Sequence, residues 1–247
     1  MKIAILNLTG AVGKTTVAAN LLSPRMGHAP VIAVETLNDT AQELAGVEVD
    51  KIAGNRFVKL IEKLILLDDA IVDIGASNIE PFLDGMVKHE EAKVEFDCFI
   101  VPVCAGTKEQ KDTMRTVSIL SGLGIPPSKI KLLFNRVRDD VDSEFGPVLS
   151  FAGQHGLCVA DPRAAIFENE LYNLLAMKRM TVAQALADET DYKAEARSLP
   201  VDLDGEGKDR NVRRRMECID RYTMKSMSKS ANRNLDQVFD VLFGGAQ

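Results

Sequence analysis

Residues 2–16 read K-I-A-I-L-N-L-T-G-A-V-G-K-T-T, and they carry the strongest structural signal in the chain. Residues 3–8 are mostly apolar and end at a turn, which is typical of a buried parallel strand. A short loop with Gly10 and Gly13 follows, and residues 17–22 predict a helix. In this layout the N–H groups of the loop and the positive end of the helix dipole face the same point. The stretch therefore predicts a binding site for a polyphosphate.

The side chains after the loop suit separate parts of such a ligand. Lys14 is placed to reach the β- and γ-phosphates, and the Thr15 hydroxyl is placed to ligate Mg²⁺. The general pattern G-x-x-x-x-G-K-[ST] requires glycine at position 8, where this chain has Leu8. The alternative is a chance G-x-x-G-K-T in an ordinary turn between a strand and a helix. The residues predicted to bind the nucleotide here are Gly10, Ala11, Val12, Gly13, Lys14, Thr15 and Thr16.

Length and composition limit the class of protein. A chain of 247 residues forms one large domain, or one domain with an appendage. The net charge of −6 excludes a protein that coats nucleic acid by bulk charge alone. The four cysteines and three histidines are scattered, which argues against zinc and a disulfide framework and predicts a cytoplasmic protein. We expect no signal peptide, because the N-terminal apolar run is short and leads straight into the loop. We expect no transmembrane segment, because no apolar run approaches about 18–20 residues.

Apolar segments and helical segments alternate along the first half of the chain. Strands are predicted at residues 3–8, 31–34, 70–74, 98–103 and 129–135, with a short sixth at 157–159. Helices are predicted at residues 17–22, 40–45, 51–66, 79–93, 108–123, 142–155, 166–175 and 181–187. This alternation predicts an α/β fold, with a mostly parallel twisted sheet and helices on both faces. Ligands of such sheets bind beyond the carboxyl ends of the strands, so we expect the loops there to share one crevice.

Asp73 ends an otherwise uncharged apolar strand. A carboxylate at the edge of the crevice is placed to hold Mg²⁺ through its water shell, together with Thr15. The alternative is an aspartate that caps a turn at the end of a strand. Gly75, two residues later, lets the loop approach a phosphate closely.

The chain divides into three predicted segments. Residues 1–197 form the nucleotide-binding domain, residues 198–211 form a polar linker, and residues 212–247 carry a basic amphipathic helix.

Between Lys208 and Arg233 there are nine Lys or Arg and three Asp or Glu, a local net charge of +6. This segregation indicates an anionic partner, namely DNA, a lipid surface or an acidic protein. A solvated helix face packed on the core is the alternative. The cations predicted to meet the partner are Arg213, Arg214, Arg215, Arg221 and Lys225.

The stretch T-G-A-V-G-K-T-T resembles the deviant P-loop K-G-G-x-G-K-[ST]-[ST] of the ParA/MinD family of P-loop ATPases. The family's signature lysine falls on Thr9, and its second glycine falls on Ala11. In that family the lysine reaches the phosphate site of a partner subunit in an ATP-sandwiched homodimer, and this chain departs from that pattern. I-V-D-I-G-A-S is similar to the family's Walker B strand, which implies that Asp73 serves the metal.

The resemblance also implies roles for residues in later loops. The family's aspartate for water activation falls on Glu35, while its second acidic position falls on Leu37; Asp39 is a candidate substitute. The segment L-F-N-R-V is similar to the family's adenine-binding segment, which implies that Asn135 contacts the base; a turn-initiating asparagine is the alternative. Pro162 matches a later proline-containing loop on the adenine side.

Within the family, the segments N-L-T-G-A-V-G-K-T-T, A-V-E-T-L-N and V-D-I-G-A-S-N look most like the StbB-type plasmid stability proteins. This resemblance implies an ATP- and Mg²⁺-dependent switch in plasmid stability, segregation or conjugative transfer. Its expected partners are a second copy of itself, a plasmid-encoded DNA-binding adaptor, or DNA. One alternative is a nucleotide-binding adaptor that does not hydrolyse ATP. Another is a metabolic ATP-dependent ligase or kinase on a related fold.

Overall fold

The structure is a computed structural model that describes residues 1–35, 49–53, 56–200 and 206–244. The chain forms two compact units. The first comprises Met1–Glu168 with Asn234–Gln247, and the second comprises Asn169–Arg233.

A seven-stranded parallel sheet organises the first unit. Its spatial order is β3-β2-β4-β1-β5-β6-β7. The strands are β1 (Lys2–Ile5), β2 (Val31–Glu35), β3 (Val49–Ala53), β4 (Ala70–Ile74), β5 (Cys98–Val103), β6 (Ile130–Val137) and β7 (Ala165–Phe167). The successive residues Ile3, Ala4 and Ile5 are all fully buried. Because neighbouring side chains in a strand point to opposite faces, both faces of the sheet are covered. The predicted α/β fold with a parallel sheet is confirmed.

Helices connect these strands and continue through the second unit. The first helix begins as α1 (Lys14–Thr16), continues as a π-helix over Val17–Leu22 and ends as α2 (Ser23–Arg25). The others are α3 (Phe57–Ile65), α4 (Ile79–Lys88), α5 (Thr107–Gly122), α6 (Val141–Glu144), α7 (Gly146–His155), α8 (Leu171–Met177), α9 (Val182–Ala187), α10 (Tyr192–Ser198) and α11 (Glu206–Phe243). Short 3₁₀ turns lie at Ala76–Asn78, Glu90–Glu95 and Pro127–Lys129.

Two segments predicted as helix contain strands instead. The helix predicted at 51–66 was wrong in its first part, because Val49–Ala53 pairs with β2 as an edge strand. The helix predicted at 166–175 was likewise wrong at its start, because Ala165–Phe167 pairs with β6. The sixth strand predicted at 157–159 is reduced to a single bridge between Val159 and Lys131. Pairing with a neighbouring strand is a tertiary interaction that overrides local helical periodicity.

Other boundaries also differ from the sequence predictions. The helix α11 begins at Glu206, inside the segment predicted as a linker. Residues 192–198 form α10, which the sequence analysis did not predict. The helix predicted at 40–45 lies outside the described residues.

Thr181 caps α9, and this contact gives a direct stability prediction. Its hydroxyl accepts a hydrogen bond from the Gln184 N–H at 3.2 Å, and the Gln184 side chain accepts one from the Thr181 N–H at 2.9 Å. We expect Thr181→Ala to lower the free energy of unfolding by about 1 kcal/mol, because a helix N–H loses its partner. Urea denaturation measures this change. Thr223→Ala is the control, since Thr223 is an exposed residue inside α11; an equal loss there would contradict the capping role.

Candidate functional site

The loop between β1 and α1 is built from residues with left-handed backbone conformations. Gly13 has φ +83° and Ala11 has φ +56°. This region costs free energy for a residue with a Cβ atom, so Ala11 is strained at the position where the ParA/MinD pattern has glycine. The Val17 N–H donates to the Gly13 carbonyl at 2.9 Å and starts the helix. Gly10 and Ala11 are exposed at the tip of the loop.

Lys14 is buried beneath this loop. Its side chain is only 8% exposed, and its ammonium donates to the carbonyls of Thr9 and Asn7 at 3.1 and 3.4 Å. Burial lowers the pKa of Lys14 from its ordinary value, and the nearby Asp73 carboxylate opposes this shift. The lysine thus places a cation directly at the loop.

Thr15 and Asp73 meet at the carboxyl edge of the sheet. The Thr15 hydroxyl donates to the Asp73 carboxylate at 2.6 Å. Asp73 is paired in register with Ile5 of β1 and Ala33 of β2, and it is 4% exposed. Burial raises the pKa of Asp73, while the Thr15 hydrogen bond and the Lys14 charge lower it. The structure therefore brings together the hydroxyl and the carboxylate that the sequence predicts as metal-holding groups.

Thr16 lies in the first turn of the helix, and its carbonyl accepts a hydrogen bond from the Asn20 side chain at 3.2 Å. The helix then widens into the π-helix Val17–Leu22, in which the Ser23 N–H donates to the Ala18 carbonyl five residues earlier. Such π segments occur frequently beside functional sites.

Asn135, at the carboxyl end of β6, holds the loop from the other side. Its amide donates to the Val12 carbonyl at 2.8 Å, and a Cβ added at Gly13 would lie 2.4 Å from its Nδ2 atom. Arg136 follows with φ +58° at a register irregularity of β6, and its N–H donates to the Asn135 Oδ1 at 3.0 Å. The structure thus gives Asn135 a role in positioning the loop. A contact with adenine stays a prediction.

Asn7 is a positioning residue that the sequence analysis missed. It is fully buried, and its amide donates to the Pro102 carbonyl at 2.8 Å and to the Thr113 hydroxyl at 2.6 Å. Its Oδ1 atom accepts from the Thr9 N–H at 3.1 Å, and the Leu8 N–H donates to the Thr116 hydroxyl at 3.2 Å. These bonds fix the start of the loop to β5 and α5. The sequence feature that could have identified Asn7 is its position as a polar residue inside the apolar run of residues 3–8.

Removal of this amide is expected to loosen the loop. We predict that Asn7→Ala lowers the free energy of unfolding by about 3 kcal/mol, because buried donors and acceptors lose their partners. ATP affinity, measured by equilibrium titration, should fall as well. The matched control is Asn234→Ala, since the Asn234 amide also bonds two backbone groups, those of Ala165 and Phe167. If Asn234→Ala weakens ATP binding equally, Asn7 has no specific effect on the loop.

The remaining predicted site residues are placed differently. Glu35 ends β2 beside the loop after β4, because a Cβ added at Gly75 would lie 3.7 Å from its Cγ. Asp39 lies outside the described residues. Pro162 is exposed in a turn that precedes β7, and so lies at the amino end of that strand rather than at a carboxyl end. The roles of Glu35, Asp39 and Pro162 stay predictions.

Most of the cations predicted to contact a partner make contacts within the second unit. Arg214 pairs with Glu195 at 2.6 Å and with Glu217 at 3.0 Å. Three further contacts join Arg215 to the Ala196 carbonyl, Arg221 to the Met180 sulfur and Lys225 to the Asp188 carbonyl. Arg213 is exposed.

The described residues contain neither a cluster of metal-ligating side chains nor a membrane-spanning helix. Across these ranges no group of three or more His, Cys, Asp or Glu side chains is arranged to hold a metal ion. No helix in the described part of the chain is both long and apolar enough to span a membrane.

Solved structures share this architecture. The chain is similar to apo McdA of Cyanothece, with 16% identity over 88% of this chain and 98% of that chain, and a TM-score of 0.50. MinD of Pyrococcus horikoshii complexed with Mg-ADP shares 16% identity over 87% and 94% of the two chains, with a TM-score of 0.49. The cell division ATPase MinD of Pyrococcus furiosus shares 17% identity over 90% and 98%, with a TM-score of 0.48.

No protein-family profile matches the chain, and no curated protein sequence matches it significantly. The parallel sheet, the glycine-containing loop with Lys14 and Thr15, and the likeness to McdA define a P-loop NTPase fold. At this level of identity the likeness concerns the fold alone.

Proposed function

We propose that this chain is an ATP-binding molecular switch of the ParA/MinD type. The observation that carries the proposal is the hydrogen bond of 2.6 Å between Thr15 and Asp73. It joins a P-loop hydroxyl to a buried carboxylate, with the Lys14 ammonium near enough to affect the pKa of that carboxylate. An ordinary turn between a strand and a helix requires none of these three groups.

The donor set fits Mg²⁺. Hydroxyl and carboxylate oxygens are the ligands that this ion prefers, and Thr15 and Asp73 supply one of each at the same point. When bound, the ion supplies positive charge that offsets the charge of the phosphates. Lys14 would supply a cation to the same phosphates, and the loop N–H groups would orient them. Asn135 restrains the loop through its hydrogen bond to the Val12 carbonyl.

The proposed biological role is in plasmid stability, segregation or conjugative transfer, in the cytoplasm. The sequence segments that are similar to StbB-type proteins support the role with plasmids. The four free cysteines support the location in the cytoplasm, because free cysteines are expected in a reducing compartment. ATP binding would order the loops at the carboxyl edge and so change the surface presented to a partner. A plasmid-encoded DNA-binding adaptor, DNA and a second copy of this chain are the candidate partners.

A second candidate is an adaptor that binds nucleotide without hydrolysing it. Thr9 favours this function, because it stands at the position of the signature lysine and is 6% exposed. A side chain buried there does not extend toward a second subunit. Strain at Ala11 also sets this loop apart from the glycine pattern of the family. Tight ATP binding with phosphate release at background level would favour the adaptor over the ATPase.

Replacement of Lys14 tests the proposed function. We expect Lys14→Ala to reduce ATP affinity by more than about tenfold, because the phosphates lose a buried cation. Equilibrium titration with a fluorescent ATP analogue measures this loss. Lys129→Ala is the matched control. Lys129 is a half-buried lysine just before β6, and its ammonium donates to the Phe96 carbonyl at 2.7 Å. Equal affinity of the Lys14 variant and the unmodified protein would refute the site.

Hydrolysis and partner binding need separate measurements. Phosphate release is to be followed with ATP alone and with ATP and duplex DNA, while molecular size is measured with ATP and with ADP. Release stimulated by DNA supports the switch. A steep loss of DNA affinity with salt would indicate contacts between basic side chains and phosphates.

A further inference from the structure

A groove lies between α10 and the first part of α11, within the second unit. Its volume is about 420 Å³. Its sides are formed by residues of both helices, namely Tyr192, Lys193, Ala196, Arg197, Arg215, Cys218, Ile219 and Tyr222. Most of the lining surface is aromatic or aliphatic, and three of the lining side chains are cationic.

Contacts between the two helices fix the shape of the groove. The Arg215 guanidinium donates to the carbonyls of Ala196 and Leu199 at 3.1 and 2.5 Å. It therefore provides hydrogen-bond partners for carbonyl groups at the carboxyl end of α10. Arg214 pairs with Glu195 of α10 at 2.6 Å. Tyr192, at the start of α10, donates to the carboxylate of Asp188, which follows α9, at 2.6 Å. The groove is thus formed before any partner binds, which reduces the entropic cost of binding.

Large apolar side chains line one face of α11 and are exposed. Val212, Met216, Ile219 and Tyr222 are between 46% and 55% exposed. They follow one another at intervals of four, three and three residues, so they lie on the same face of the helix. A row of exposed apolar side chains next to a preformed groove is typical of a surface that binds another protein.

The charge around the groove selects the kind of partner. Three of the residues that line the groove are cationic, namely Lys193, Arg197 and Arg215, and none of the lining residues is acidic. Lys193 and Arg197 of α10 are exposed to solvent. A second copy of the chain would bring this positive charge against itself, which opposes association through this face. An acidic partner is favoured instead.

The apolar face argues against DNA as the occupant. DNA is held chiefly by cations on its phosphates, and it gains nothing from burying Ile219 or Met216. Arg214 and Arg215 are already engaged with the carboxylates and carbonyls of their own unit. A lipid surface requires a protruding apolar face, whereas Ile219 and Tyr222 line a concave groove.

We propose that the groove between α10 and α11 binds an acidic amphipathic helix of a partner protein. The apolar face of that helix would lie against Ile219, Tyr222 and Ala196, and its carboxylates would face Lys193 and Arg197. This inference goes beyond the proposed nucleotide switch and does not depend on it.

Two of the chain's three tyrosines line the groove and the chain has no tryptophan, so tyrosine emission reports on the site. The probe is a 20-residue helical peptide with leucine on one face and glutamate on the other, without aromatic residues. We expect it to change the tyrosine emission of the full-length protein with micromolar affinity. The same peptide with lysine in place of glutamate should bind at least about tenfold more weakly, because its charges meet Lys193 and Arg197.

Variants on both sides of the groove separate the apolar and electrostatic contributions. Ile219→Glu and Tyr222→Ala should each weaken peptide binding about tenfold or more. Leu66→Glu is the control for Ile219, because Leu66 is an apolar residue of the first unit that is 84% exposed. The double variant Lys193→Glu/Arg197→Glu should also weaken binding and reduce its dependence on salt.

The control for the double variant is Lys111→Glu/Arg115→Glu, which reverses an exposed lysine and arginine at the same spacing on α5. Circular dichroism verifies that each variant folds. The proposal is overturned if the acidic peptide does not bind, or if the lysine peptide binds equally well. It is also overturned if duplex DNA or phosphatidylserine vesicles displace the peptide, or if Ile219→Glu abolishes a dimer of the chain itself.

Discussion

Replacement of Asp73 by asparagine is expected to stabilise the ligand-free protein while weakening Mg²⁺-dependent ATP binding. Asparagine keeps an oxygen that can accept the Thr15 hydrogen bond, which spans 2.6 Å in the native protein. It removes a buried negative charge, whose burial raises the pKa of Asp73. We expect the midpoint of thermal unfolding to rise at neutral pH. ATP affinity in Mg²⁺ should fall by about 10- to 100-fold, because a carboxylate that orients the metal shell is lost.

The pH dependence of stability follows from the direction of the same shift. The folded protein binds the proton of Asp73 more tightly than the unfolded chain does. The free energy of unfolding therefore falls as the pH rises above the ordinary carboxyl range, until Asp73 is ionised in both states. Asp73→Asn should remove this decline. Thermal unfolding at several pH values, without nucleotide or metal, measures it.

Asp97→Asn provides the control for a carboxylate outside the site. The Asp97 carboxylate accepts a hydrogen bond from the Lys2 N–H at 2.7 Å and lies at an exposed edge. Its replacement should leave Mg²⁺-dependent ATP binding unchanged. If Asp73→Asn destabilises the ligand-free protein, or leaves ATP affinity intact in Mg²⁺, the description of Asp73 as a buried metal-holding carboxylate is incorrect.

Replacement of Gly13 by alanine is expected to have the largest effect on the loop. At φ +83° alanine is strained by about 1–2 kcal/mol. Its Cβ would lie 2.4 Å from the Asn135 Nδ2 atom, which adds an overpacking cost of about 1–3 kcal/mol. Asn135 would have to leave the Val12 carbonyl, so the loop would lose its conformation. We expect a loss of about 2–4 kcal/mol in stability and little measurable ATP binding.

Variants of two other glycines distinguish the backbone strain from the clash with Asn135. Gly156 has φ +61° and nothing within 4 Å of an added Cβ, so Gly156→Ala reports the backbone strain alone, about 1 kcal/mol. Gly10 also has nothing within 4 Å, and Gly10→Ala should change stability by less than about 0.5 kcal/mol. Urea denaturation and ATP titration of all three variants make the comparison. A Gly13 variant that behaves like the Gly156 variant would show that Asn135 does not restrain the loop.

The parts of the fold that follow from local pattern were predictable from the sequence. Five of the seven strands are apolar runs bounded by turns, and the capping of α9 by Thr181 follows from hydroxyl chemistry. The edge strands β3 and β7 were assigned to helices, because their positions depend on pairing with β2 and β6. Asn7 was missed because its partners, Thr113 and Thr116, lie more than 100 residues away in the chain.

The order of strands and helices, and the lysine and threonine that follow the loop, can be read from the sequence alone. The spacing of apolar residues and the residue types in turns are local properties. Which side chains contact one another becomes clear only in the folded protein. Folding joined Thr15 to Asp73, placed Asn135 against Gly13, and engaged Arg214 and Arg215 in contacts with α10. These contacts link distant parts of the chain. Their strength depends on burial and on the distance between the atoms, and neither can be read from the positions of the residues along the sequence.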